Sequence, residues 1–117
     1  MPLNVTFEKL PEATAVLTLS GRVTSGGPVL QADSQIRAAI ANGVTRLVID
    51  LTGVDFVDSS GLGMLVYTYG MLTERKGALR LCGVGPRLRS LLKTTKTDTF
   101  LAIDANREES LAALAKA

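Results

Sequence analysis

Two rhythms of apolar and polar residues run along this chain. Short runs rich in Val, Ile, Leu and Thr, at Asn4 to Leu10, Ala15 to Ser20, Thr45 to Leu51, Ala78 to Val84 and Phe100 to Ile103, read as strands. Pro11-Glu12 is a turn between the first two, and Gly21 ends the second. Elsewhere apolar residues recur at helical spacing. Gly26-Gly27-Pro28 has the glycine cap and early proline of a helix start, Val29, Ala32, Ile36, Ala39 and Ile40 follow at helical intervals, and Asn42-Gly43 is a stop. A longer helix runs from Asp58 or Ser59 to Lys76, closed by Gly77, with Leu62, Leu65, Val66, Tyr69 and Leu72 as its core stripe. Gly85-Pro86 opens a short helix on Leu88, Leu91 and Leu92. Asn106 to Glu109 has capping-box spacing and opens a terminal helix through Leu111 and Leu114.

The resulting order, two strands and then helix and strand in alternation, predicts an α/β fold. Its sheet is mixed and mostly parallel, with four or five strands and about four helices packed on it, joined by right-handed crossovers. One domain over residues 1–117 accommodates all of it. The run Thr45 to Leu51 has the composition of a strand covered on both faces and belongs at the centre. Asp50 to Ser60 then forms a loop at a strand's carboxyl end, where such sheets carry function. Gly53 permits its bend, and Phe56 and Val57 pin it inward.

Composition narrows the chemistry. With 46% hydrophobic and 21% charged residues the chain is an ordinary globular one. It lacks an apolar run of membrane-spanning length and a basic-then-apolar leader, so a cytoplasmic location without membrane attachment is expected. The single cysteine, Cys82, reads as a small buried hydrophobe. There is no histidine, which removes Ser-His and Cys-His nucleophile pairs and the commonest metal ligand. A net charge of +2 does not by itself imply nucleic acid. Arg75, Lys76, Arg80, Arg87, Arg89, Lys93 and Lys96 nevertheless form an acid-free basic stretch, either a solvated face or a docking surface for an acidic partner.

The chemistry-bearing stretch is Asp58-Ser59-Ser60-Gly61-Leu62-Gly63. Two hydroxyls follow an acid at a helix start, where free N–H groups and the positive helix end favour an anion. A nucleophile elbow is excluded by the residues two before each serine, Val57 and Asp58, and by the absence of histidine. Neither a P-loop nor a dinucleotide fingerprint is present. Asp58 serves as N-cap, while Asp50 and Asp55 need no partner where their side chains reach water. No catalytic residue, metal or cofactor is assigned. Ser59 is the candidate acceptor of a phosphoryl group, supported by Asp58 and Gly61, with Gly61 and Gly63 leaving room for a large partner. Phosphorylation would add about −1.5 to −2 charges beside Asp55 and Asp58, abolishing a complex while keeping the fold. Met64, Tyr67, Thr68 and Met71 make a second stripe on the same helix, read as a protein contact or as burial under a neighbouring element.

From Val48 to Gly63 the sequence resembles the STAS domain family, specifically the anti-sigma factor antagonists of bacterial partner-switching systems. The resemblance extends through Leu17 to Val23, Gly77 to Cys82 and Phe100 to Leu111. It implies a regulatory protein without catalysis of its own. It also implies that Ser59, with Ser60 as the alternate, is phosphorylated by an anti-sigma factor that is a serine kinase. The unmodified protein would bind that factor and free sigma, and a phosphatase would reset it. The expected partner surface takes in Thr24, Asp55, Gly63, Met64, Tyr67 and Met71, and the expected assembly is a monomer or weak homodimer with no direct contact to nucleic acid. A non-switching STAS scaffold or ligand-sensing module is the competing reading. Two positions depart from the family pattern: Thr24 stands where Asp is usual, and Lys96-Thr97 replaces the usual Gly-Leu.

Overall fold

A computed structural model describes residues 3–116. Its strands are β1 (Asn4–Leu10), β2 (Thr14–Val23), β3 (Arg46–Val57), β4 (Ala78–Cys82) and β5 (Ala102–Asp104), and its helices α1 (Gly27–Ala41), α2 (Ser59–Glu74), α3 (Pro86–Thr94) and α4 (Arg107–Ala115). The strands lie in sequence order in one five-stranded sheet, β1 antiparallel to β2 and all later pairs parallel. A tight turn can join only antiparallel neighbours, so each parallel step needs a crossover, and α1, α2 and α3 supply them. The mixed, mostly parallel sheet expected from the alternation is the one observed.

Two-residue alternation along the strands sorts the core. Leu17, Leu19, Leu47, Ile49, Leu79 and Leu81 join the main cluster with Ile36 of α1, Leu65 and Leu72 of α2 and Leu92 of α3. Val16, Val48 and Cys82 project to the other face and meet Leu114 of α4. The second face is polar where it nears the strands' carboxyl ends. There Arg107 of α4 bridges Asp50 and Thr18 at 3.0 and 2.7 Å, and Arg80 grips Asp104 at 2.6 and 3.0 Å. Ser110 also donates to Asp104, at 2.7 Å. Asp50, far from reaching water, is buried, and a buried carboxylate needs such partners. Burial pushes its pKa up, but bonds from Thr52 and Arg107 outweigh that and hold it below the ordinary value. Arg80 is likewise paired, with Asp104, which withdraws this one member from the basic stretch. Cys82 is buried as expected, and its thiol is pushed up to about 11 by burial and by the Asp50 charge.

The strand ends differ from the sequence expectation. β2 does not stop at Gly21, and β3 does not give way to a loop after Leu51. The two strands sustain each other through irregular steps: Thr18 pairs with Asp50 but Ser20 with Gly53, and Gly21 with Val54 but Arg22 with Phe56. Each step inserts an extra residue into β3, which bends the strand and lets the ladder continue. Gly53 is needed for close approach, since a Cβ there would lie 2.8 Å from the Ser20 Cβ. β4 ends at Cys82, and a 3-10 turn at Thr97–Thr99 delays β5 to Ala102. Lys96, before that turn, has φ 61°, the left-handed region that a glycine would occupy without strain.

Candidate functional site

Because β4 pairs only with Arg46 to Asp50 of β3, the outer half of β3 is held by β2 alone and carries α2 out to the rim of the sheet. At the junction Asp58 has an extended backbone and caps α2. Its Oδ1 accepts the Gly61 N–H at 2.9 Å, as the capping pattern predicts. Its Oδ2 accepts the Ser25 N–H at 2.8 Å, and its own N–H donates to the Val23 carbonyl at 3.2 Å. Asp58 therefore ties the helix start to the segment leaving β2. The N–H groups of Gly61, then Ser25, hold its carboxyl below the ordinary pKa. The Ser25 contact was invisible in the sequence, because 33 residues separate the two partners and no local spacing records it.

Ser59 and Ser60, the first residues of α2, are both exposed. Gly61 is not open space, as expected from its lack of side chain, but a packing point. A Cβ there would come within 2.7 Å of the Val23 carbonyl oxygen and of Val57 Cγ1. Gly63 has nothing near its missing Cβ and does leave α2 accessible. The second stripe of α2 is divided rather than exposed as one patch. Met64 is 5% exposed and Thr68 fully buried, both on the side covered by the core, whereas Tyr67 is 54% exposed. Met64 therefore offers no surface to a partner in this conformation. Arg37 of α1 lies over the Tyr67 ring at 4.9 Å and is ion-paired to Asp33. Of the other expected contact residues, Asp55 is exposed and Thr24 and Met71 are half-buried.

Beside the serines, the outer half of β3 and the start of α3 enclose a cleft of about 250 Å³ lined in part by Val54, Asp55, Phe56, Gly85, Pro86 and Arg87. Phe56 is half-buried rather than pinned inward, and Arg22 and Arg87 lie over its ring. Chemically, the site offers an exposed hydroxyl without an activating base: there is no histidine, and Asp58 is engaged by N–H groups that weaken its basicity. Among the described residues no helix is long and apolar enough to cross a membrane.

The STAS domain profile matches residues 6–110. The chain belongs to the STAS domain family. An anti-sigma F factor antagonist of Lysinibacillus sphaericus is 27% identical over 110 residues, covering 93% of this chain and 92% of that protein. The crystal structure of an anti-sigma factor antagonist from Mycobacterium paratuberculosis matches with a TM-score of 0.84 and 26% identity, covering 97% of this chain and 94% of the other. The antagonist SpoIIAA in its unphosphorylated form shares the fold, with a TM-score of 0.78 and 21% identity over 97% of this chain and 98% of its own.

Proposed function

We propose that this single STAS domain is an anti-sigma factor antagonist: it binds an anti-sigma factor that is also a serine kinase, frees the sigma factor, and loses its partner when Ser59 is phosphorylated. A phosphatase then resets it, and the protein itself acts by binding rather than turnover, in the cytoplasm. The observation that carries this reading is the state of the α2 start. Asp58 already occupies the Gly61 and Ser25 N–H groups, so a phosphate on the exposed Ser59 gains little local neutralisation. Its charge adds to that of Asp58 and Asp55 and projects toward the partner. The protein-level consequence is loss of a complex with the fold retained. SpoIIAA, which shares this fold, has a solved phosphorylated form, which supports the reading.

The test is phosphorylation by the cognate kinase and ATP, with the site mapped by mass spectrometry. Modification at Ser59, binding by Ser59→Ala and loss of binding by Ser59→Asp are expected. Equal binding by both variants together with no modification at Ser59 or Ser60 would leave a non-switching scaffold instead.

A further inference from the structure

We propose that the cleft between the outer half of β3 and the start of α3 is a socket for an acidic side chain of the partner protein, held by Arg87 of its lining, with Arg22, stacked on the lining residue Phe56, adding a second positive charge. This rests on the partner-binding reading and names the chemistry that would meet the surface next to Ser59. Arg22 on β2 and Arg87 on α3 place their Cζ atoms 4.9 and 5.8 Å from the Phe56 ring centroid. A ring holds a guanidinium through its face and leaves edge N–H donors for an anion. Among the described residues neither arginine is in a salt bridge, whereas Arg37, Arg80 and Arg107 each have a carboxylate. Both guanidinium groups are stacked on Phe56, a lining residue, so an anion in the cleft is attracted by their charge. The start of α3 adds to the positive potential: Gly85 caps it without a side chain, and its first turn has no acid.

Size and charge select the occupant. The cleft's volume of about 250 Å³ lies below the roughly 300–1,000 Å³ of small-molecule sites, so it suits a side chain rather than a nucleotide. Asp55 on the lining opposes a multiply charged phosphate more than a single carboxylate. Leu51, Val54 and Leu88 offer an apolar surface to the methylenes of a glutamate. The lining reaches Val57, two residues before Ser59, so the socket borders the segment that carries the serine. A phosphate on Ser59 would bring negative charge to the border of a site built for a carboxylate, which links the socket to the switch.

The experiment titrates the unmodified, isotope-labelled protein with the capped peptide Ac-Leu-Glu-Glu-Leu-NH2, its Gln-for-Glu analogue and inorganic phosphate, followed by NMR. Saturable shifts of the Arg22 and Arg87 side-chain Nε–H and of the Leu88 amide are expected with the Glu peptide alone. The Arg22→Ala/Arg87→Ala double variant should weaken its affinity by about tenfold or more. Thermal unfolding checks that the variant is folded, and the Glu-versus-Gln comparison on the native protein decides the matter without it. Equal shifts with the Gln peptide overturn the proposal. So do shifts spread over Arg89 and Lys93, phosphate binding the same residues as tightly as the peptide, or no saturable shift. Since no kinase enters the experiment, a failed socket and a failed Ser59 switch are separate results.

Discussion

The two halves of β3 have the same backbone and opposite purposes. From Arg46 to Asp50 the strand is paired on both edges, and Leu47, Val48 and Ile49 are fully buried. From Thr52 to Phe56 it is paired with β2 alone, Thr52, Gly53 and Asp55 are exposed while Val54 and Phe56 are half-buried, and it borders the cleft and leads to the serines. The inner half spends its side chains on packing. The outer half, released from β4, exposes several of its own, and its bulges keep it paired with β2 up to the start of α2. The rigid part thus sets the position of the part that recognises.

That contrast can be broken most severely from the inside. Ile49→Ala removes a fully buried side chain between α2 and the sheet and should cost about 2–5 kcal/mol, seen as a lowered denaturant midpoint with unchanged slope. Where the outer half passes into α2, Gly61→Ala forces a methyl against the Val23 carbonyl, so a loss of roughly 1–3 kcal/mol is expected. An unchanged midpoint would mean that α2 can shift away from β2 at no cost.

Asp50 sharpens the boundary by pH. Its folded pKa lies below the ordinary 3.8, so the stability it contributes is fully present above that value and is lost as pH falls through the lowered folded value. Wild type should therefore lose stability on acidification below 3.8 more steeply than Asp50→Asn, the two unfolding curves drawing together. Parallel curves would show that the Arg107 and Thr52 bonds do not favour the ionised form. The smallest stability effect belongs to the outermost site. Ser59→Asp should change the unfolding free energy by no more than about 0.5 kcal/mol, because the residue is exposed at a helix start. A larger loss would mean that charge at Ser59 disturbs the fold itself, and any loss of partner binding could then no longer be assigned to the surface alone.

The Asp58 cap, the glycine-proline starts of α1 and α3 and the Asn106 cap were legible because a cap is a local event within one turn. The outer half of β3 was not, since Thr52-Gly53-Val54-Asp55 reads as a loop until β2 pairs with it. Met64 illustrates the same limit from the other direction. Its stripe on α2 is plain in the sequence, but packing against other elements decides which members of that stripe are covered. Arg22 and Arg87, far apart in the chain, gave no sign of meeting over Phe56.

By itself the sequence determined the strand and helix order, the family and an acidic cap followed by two serines at a helix start. These follow from periodicity and short-range hydrogen bonding, which a linear chain displays directly. The tertiary structure decided that Asp58 is also tied to Ser25, that Gly61 is a packing point, that the buried Asp50 is ion-paired to Arg107 and that two arginines stack on Phe56. Each depends on residues that only the pairing of β2 with β3 and the docking of the helices bring within a few ångströms, and such proximity has no counterpart in sequence spacing.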